Sequence, residues 1–252
     1  MLEGKKGLII GVANENSIAY GCARQMAKAG ARLALSYGHP KAKPYVEPLI
    51  EGVTSIAPIY ADLGNDEDID HLLEQAATQL GGLDFLIHSV AFAPLDDLHS
   101  EVLKCSRTGF LTAMDISCYS LIACANRASQ YMNSGASLCA MSYYGAEKYI
   151  ENYNVMGPVK AALEHTVRYL SHDLGKAGIR INAISPGPIM TRAASGISDF
   201  TKLLQETHDK SPLKHDPNID EVGAVATFLS SDQASSITGE IIHVDSGYHV
   251  IG

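Results

Sequence analysis

Residues 7–21, Gly7-Leu8-Ile9-Ile10-Gly11-Val12-Ala13-Asn14-Glu15-Asn16-Ser17-Ile18-Ala19-Tyr20-Gly21, lead an apolar run through a polar turn into a segment of helical period. The run Gly7 to Val12 is short and branched, which predicts a buried strand. Ile18, Cys22 and Met26 recur every four residues, which predicts the helix after it. A glycine at a strand end, a polar turn and a helix N-terminus place backbone N–H groups and the Ser17 hydroxyl where a pyrophosphate is favoured, because the first helical turn has unpaired donors and partial positive charge. The same residues also describe an ordinary loop with Ser17 as the helix cap. The segment lacks Gly-x-Gly-x-x-Gly, so the other strand ends have to decide.

Outward from this unit, further strands are predicted at Arg32 to Tyr37, Ser55 to Tyr60, Leu83 to His88, Ala136 to Met141, Arg180 to Ile184 and Glu240 to Val244. Helical segments fill the gaps. One carries Ile69, Leu72, Leu73, Ala76 and Leu80 on one face, with Asn65 as its cap; others run from Thr108 to Met132 and from Tyr153 to Leu174, with Pro158 placed to interrupt or bend the last near its start. Alternating strands and helices predict an α/β fold: a doubly wound, Rossmann-like, seven-stranded parallel sheet. No repeat or linker-like shift divides residues 1–252, so one domain is expected. Two more strand ends then point to a nucleotide. Asp62-Leu63 follows the third strand, where a carboxylate can accept from an adenine amino group, and His88-Ser89-Val90-Ala91 closes the fourth beside the cleft where strand order reverses. Ser185 to about Asp220 has no strand and four prolines, the mark of a functional insertion.

Composition narrows the function classes. With 46% hydrophobic residues in a 252-residue chain a large core is available, and 28 acidic against 19 basic side chains give a net charge of -9 without a basic stripe, which argues against nucleic acid. No run of about 18 apolar residues is apparent, and Met1 to Lys6 leads straight into a strand, so a soluble, unprocessed protein is expected, with no membrane partner. The five cysteines are odd in number and form no Cys-x-x-Cys pair, which predicts reduced thiols in a cytoplasmic protein. No metal site is expected.

Chemistry is concentrated in Met141-Ser142-Tyr143-Tyr144-Gly145-Ala146-Glu147-Lys148-Tyr149-Ile150-Glu151-Asn152-Tyr153-Asn154-Val155-Met156-Gly157-Pro158-Val159-Lys160-Ala161-Ala162-Leu163. A tyrosine near a fixed ammonium has its phenolate favoured and can give a proton or a strong hydrogen bond to a developing oxyanion. A lysine can also bind ribose hydroxyls.

Here the chain resembles the short-chain dehydrogenase/reductase superfamily, and within it the bacterial NADH-dependent enoyl-acyl carrier protein reductases. The resemblance spans nearly the whole length. It rests on Gly11-x5-Ser17-x-Ala19, on Tyr153-x6-Lys160, on the stretches 88–94, 152–157, 183–189 and 193–197, and on Val244-Asp245. Tyr144 and Lys148 also satisfy Tyr-x-x-x-Lys, the pattern of mainstream carbonyl and alcohol reductases. Register decides against them: in the superfamily the lysine opens a Lys-Ala-Ala-Leu helix leading to a Gly-Ile-Arg-Ile-Asn strand, which are Lys160 to Leu163 and Gly178 to Asn182 here. The mainstream tyrosine then falls at Met156 and its serine at Tyr143. A phenol one helical turn earlier, at Tyr153, suits a conjugated thioester, where charge appears on an oxygen remote from the carbon that receives hydride.

The resemblance implies that Tyr153 and Lys160 are catalytic and that Tyr143 lies at the mouth of the acyl site. It implies cofactor contacts from Gly11, Ser17, Ile18, Asp62, Leu63, Val90, Ile189 and Thr191, with Ser89, Ala91 and Lys160 beside them. Phe92, Leu98, Met156, Ala193, Ile197 and Phe200 are the substrate candidates, the last three on an expected lid at about 190–211. NADH is the implied cofactor; Lys41 and Lys43 after the second strand, with no acid there, keep NADPH open. An enoyl thioester on acyl carrier protein is the implied partner, with Lys202 a candidate docking cation, and a homotetramer the implied assembly. Two alternatives stand beside this reading: a mainstream carbonyl or alcohol reductase using Tyr144 and Lys148, and a non-catalytic NAD(H)-sensing protein.

Overall fold

The first strand, β1 (Lys6–Ile10), stops before Gly11, whose φ of 102° breaks extended pairing and turns the chain toward α1 (Ile18–Lys28). A computed structural model describes residues 1–251. After α1 come β2 (Arg32–Tyr37), a short α2 (Lys43–Val46), β3 (Ile59–Tyr60), α3 (Asp66–Leu80), β4 (Leu83–His88), α4 (Leu95–Leu98), α5 (Arg107–Met114) and α6 (Ser120–Ser129). The second half holds β5 (Met132–Met141), α7 (Met156–Gly175), β6 (Arg180–Pro186), α8 (Phe200–Lys210), α9 (Ile219–Ser230) and β7 (Ile241–Val244). All pairings are parallel, in the order β3-β2-β1-β4-β5-β6-β7. Strand order reverses between β1 and β4, and the strand ends there open the cleft expected to hold a nucleotide.

Alternation along the strands feeds two cores. Leu8, Leu86 and Leu138 face α3, α6 and α7 through Leu72, Leu121 and Leu163. Ile9, Phe85, Ile87 and Cys139 face α1 and α9 through Cys22, Met26, Val222 and Leu229. The helices α1 and α9 meet at two glycines: a Cβ on Gly223 would lie 2.5 Å from the Gly21 carbonyl oxygen.

The structure corrects several expected boundaries. The third strand is two residues, not six: Pro58 has no N–H to give, and pairing to β2 involves only Ile59 and Tyr60. The expected helix 108–132 ends at Ser129, because Met132 joins the sheet opposite Leu83, and a π-helical turn, Asp115–Tyr119, interrupts it. The segment Arg107–Ser129 is long and on average apolar enough to cross a bilayer, but Arg107, Asp115 and Arg127 keep it from being an unbroken apolar run, and half of it is buried in the core, through Ala113, Cys118, Leu121 and Cys124. The expected helix from Tyr153 begins only at Met156, since Asn152 and Asn154 take φ of 63° and 45° in the turn before it. Pro158 neither interrupts nor bends it, standing in the first turn, where N–H groups have no helical partner. The stretch expected to lack a strand from Ser185 loses its first two residues to β6, which pairs Ser185 and Pro186 with β7; beyond Pro186 it has no strand but contains α8 and a short 3₁₀ turn, Ala194–Gly196.

Candidate active site

Three residues at the end of β5 assemble the centre. The Met141 carbonyl accepts a 2.6 Å hydrogen bond from Lys160 Nζ on α7, the Ser142 amide donates to Ile184 O on β6 at 2.7 Å, and the Tyr143 ring meets the Tyr153 ring edge-on at 4.7 Å between centroids. Tyr153 is 8% exposed and Lys160 3%. Tyr153 therefore arrives from a turn, not from the helix. That turn is shaped by the two left-handed asparagines, and Gly145 lets it close: a Cβ there would sit 2.4 Å from Tyr153 Cδ1.

Burial sets the charge states. It pulls the Lys160 ammonium down to about 8, with Cys118 and Glu164 opposing, and the Met141 bond uses only one of the three donors an ammonium carries. Tyr153 moves the other way. Desolvation first, then Tyr143 and Glu164, push its hydroxyl well above the usual phenol value. The expected ammonium-favoured phenolate is thus corrected: burial, Tyr143 and Glu164 all oppose ionisation, and Tyr153 is a neutral phenol. Tyr143 is raised as well, by burial and then by Tyr248.

Tyr144 and Lys148 do not form a site. The Tyr144 hydroxyl donates to His249 O at 3.2 Å and its ring packs on Tyr248, while Lys148 is exposed and Tyr149 is 87% exposed.

At the nucleotide cleft, Ser17 occupies the N-cap position of α1 without capping it: its hydroxyl turns back to donate to Asn14 O at 2.7 Å. This corrects the cap reading and leaves the N–H groups of the first turn without a side-chain acceptor, a donor set that fits a pyrophosphate. Gly11 closes the cleft floor, since a Cβ there would meet Ser89 O at 2.1 Å. Val90 is half-buried and Ala91 exposed; Leu63 is buried, and Asp62 is exposed, its carboxylate accepting from Gly64 N at 2.9 Å. Ile18, Ile189 and Thr191 are half-buried. Beyond β2, Lys43 pairs with Glu47 at 3.5 Å, whereas Lys41 is exposed.

The substrate candidates divide. Leu98, Met156 and Phe200 are buried, Ile197 packs against the core from a half-buried position, and Phe92 and Ala193 are exposed, Phe92 at 48%. The segment expected to form a lid is tied to the turn that carries Tyr153. Asn152 Nδ2 donates to Ser198 O at 3.1 Å, Asn154 Nδ2 donates to Leu98 O at 2.7 Å, and His99 Nε2 lies 2.7 Å from Gly196 O. Lys202 is shared by Glu151 at 3.3 Å and Glu206 at 3.7 Å, so its charge is already engaged.

Sequence reasoning passed over several residues here. His88 is buried with Nε2 2.8 Å from Ser120 Oγ; that hydroxyl donates to Ile116 O, so Nε2 carries the hydrogen. Ser117, in the π-helical turn, exchanges hydrogen bonds with the Phe92 backbone at 2.9 Å in both directions. Ser142 Oγ donates to the buried Glu164 at 2.6 Å. A glutamate four residues after the buried Lys160 and the Asn-x-Asn pair around Tyr153 were the legible signals.

The comparisons agree with one another. A family profile described as enoyl-(acyl carrier protein) reductase matches residues 11–249. The enoyl-acyl-carrier-protein reductase (NADH) 1 of Rhizobium meliloti (strain 1021) is 47% identical over 252 residues, with 100% of this chain and 93% of that protein covered. The crystal structure of the enoyl-acyl-carrier-protein reductase (NADH) from Aquifex aeolicus VF5 matches with a TM-score of 0.96 at 47% identity, over 100% of this chain and 98% of that one. The Bacillus cereus enoyl-acyl carrier protein reductase, solved with NADP+ and an indole naphthyridinone, matches with a TM-score of 0.96 at 43% identity, again over 100% and 98%.

Proposed function

The chain belongs to the enoyl-(acyl carrier protein) reductase family, and from that premise we propose that Tyr153 and Lys160 are its catalytic pair. It reduces the double bond of trans-2-enoyl thioesters on acyl carrier protein in fatty-acid elongation, with NADH as reductant. The observation that carries the assignment of the pair is the end of β5, where Met141 holds the buried ammonium and Tyr143, two residues on, holds the buried phenol.

When bound, the nicotinamide supplies a hydride to the β-carbon. Negative charge then develops on the thioester oxygen, and Tyr153 meets it as a neutral donor in a site that excludes water, where a fixed hydrogen bond is worth most. A neutral phenol is an effective donor here because it need not give up a proton to bind charge. Lys160 holds the nicotinamide ribose with the donors Met141 does not use, and Tyr143 borders the thioester. The uncapped start of α1, with Gly11, Ser17 and Ile18, takes the pyrophosphate; Asp62 and Leu63 take the adenine; and Ser89, Val90, Ala91, Ile189 and Thr191 line the cleft. Leu98, Met156, Ile197 and Phe200 face the acyl chain, with Phe92 and Ala193 at its entrance. A proton at the α-carbon completes the saturated thioester.

The whole chain acts as one reductase domain, with 190–211 as a lid over the acyl site. Five unpaired cysteines support a reducing, cytoplasmic setting. A homotetramer is supported by the apolar side chains that α5, α6 and the turn between them leave exposed: Phe110, Leu111, Tyr119 and Ile122. NADH oxidation followed at 340 nm with crotonyl and longer enoyl thioesters tests the reaction. Turnover of ketones instead, or none with any thioester, would overturn it, and a clear NADPH preference would overturn the cofactor assignment.

A further inference from the structure

Lys160 and Glu164 stand one helical turn apart on α7, and consecutive residues at the end of β5 receive them. Met141 O accepts from Lys160 Nζ at 2.6 Å and Ser142 Oγ donates to Glu164 Oε1 at 2.6 Å. All three side chains are buried, Glu164 at 3% exposure like Lys160. Taking a carboxylate out of water is costly, and an apolar residue would fill the same helix face at no such cost. The mechanism derived above gives Glu164 no task. Its one described hydrogen bond goes to the strand end that carries both catalytic contacts.

We infer that Glu164 is a positioning residue: held by Ser142, it locks α7 against the end of β5 and keeps a negative charge one turn from the Lys160 ammonium, so that it acts through Lys160 on cofactor use. This rests on reading Lys160 as the ribose-binding lysine. Lys160 is also faced by Cys118 from the π-helical turn and by His88 from β4; burial pulls His88 down to about 3, so that it is neutral and adds no charge. Burial pushes the Glu164 carboxyl up from its ordinary value, with the Ser142 hydrogen bond opposing, and Glu147, Arg168 on its own helix and His243 from β7 face it as well; in the alkaline range where Lys160 loses its proton it is ionised. Among the described residues facing the ammonium, Glu164 is the carboxylate that favours its charged form.

The test measures kcat/KM for NADH against pH, with an enoyl thioester, in variants whose folding is checked by thermal melting. Glu164→Gln keeps an acceptor for Ser142 and removes the charge. The alkaline limb, where Lys160 loses its proton, should move down by about one pH unit. Ser142→Ala keeps the charge and removes the lock, so kcat/KM should fall about tenfold with the limb in place. An unmoved limb in folded Glu164→Gln overturns the inference. If that variant does not fold, Glu164→Asp, which keeps the charge but is one methylene shorter, takes its place: it should lower kcat/KM with the limb unmoved, and wild-type kcat/KM in both Glu164→Asp and Ser142→Ala overturns the positioning role. Failure of the wild-type protein to oxidise NADH with any enoyl thioester would overturn the underlying reaction instead.

Discussion

Tyr153 and Tyr144 are both buried phenols, and they differ in what their hydroxyls meet. Tyr153 stands beside Tyr143 at the strand end, whereas Tyr144 is spent on the His249 carbonyl. Tyr153→Phe should therefore lower kcat by about 10²-fold or more, as loss of an oxyanion donor does, and leave the NADH dissociation constant nearly unchanged. Lys160→Ala should damage both, Tyr143→Phe should act mildly, and Tyr144→Phe should leave turnover close to wild type; steady-state kinetics and NADH fluorescence titration read these out, and the reverse order would restore the Tyr144–Lys148 pair. His88 yields a separate prediction. Burial, with Lys160 adding to it, lowers its folded value to about 3 from an ordinary 6.5, so the unfolded chain binds the extra proton between those values. Stability should be full above pH 6.5 and fall by about 1.4 kcal/mol per unit as pH drops through that window. Urea unfolding of His88→Leu should give a flatter acid limb; an unchanged limb would remove His88 as its cause. Both roles depend on burial, which a residue's identity does not announce.

At the scale of elements, the turn before α7 and the segment after β6 work as a pair. Asn152 and Asn154 adopt left-handed backbone that asparagine tolerates better than most residues, and their side chains tie the turn to Ser198 and Leu98. Residues 190–198 hold few buried side chains and these few polar ties. Amide exchange there should be fast in the free protein and slow several-fold with NADH and a substrate analogue bound. Slow exchange already present without ligand would show a fixed wall in place of a lid. Element types were largely legible from the sequence, because period and turn residues are local: the Asn65 cap is seen in its bonds to the Glu67 and Asp68 amides. Boundaries were less so. Met132 to Gly135 joined the sheet, and Ser55 to Pro58 stayed out of it, according to which neighbour was free to pair.

For the whole molecule, the parallel sheet brings the start of α1, proposed for the pyrophosphate, and the end of β5, proposed for catalysis, to the same edge, since every strand ends there. The apolar side chains exposed on α5, α6 and the turn between them, Phe110, Leu111, Tyr119 and Ile122, are the surface on which the proposed assembly rests. Light scattering on the eluted protein should give four times the chain mass. Leu111→Lys together with Ile122→Lys should reduce it, and a wild-type monomer would remove the tetramer.

The sequence by itself determined the α/β class and the seven strands, and it singled out Tyr153 and Lys160 over Tyr144 and Lys148 as the pair proposed here, because hydrophobic period and motif register are properties of neighbouring residues. Only the tertiary structure decided the charge states and the helpers. Tyr153 is a neutral phenol and Lys160 is pulled down to about 8 because water is removed from both by residues far away in the chain. Ser142 meets Glu164, and Ser117 meets Phe92, only after the sheet closes. Desolvation and contacts between distant segments are set by packing in three dimensions, and local order along the chain does not contain them.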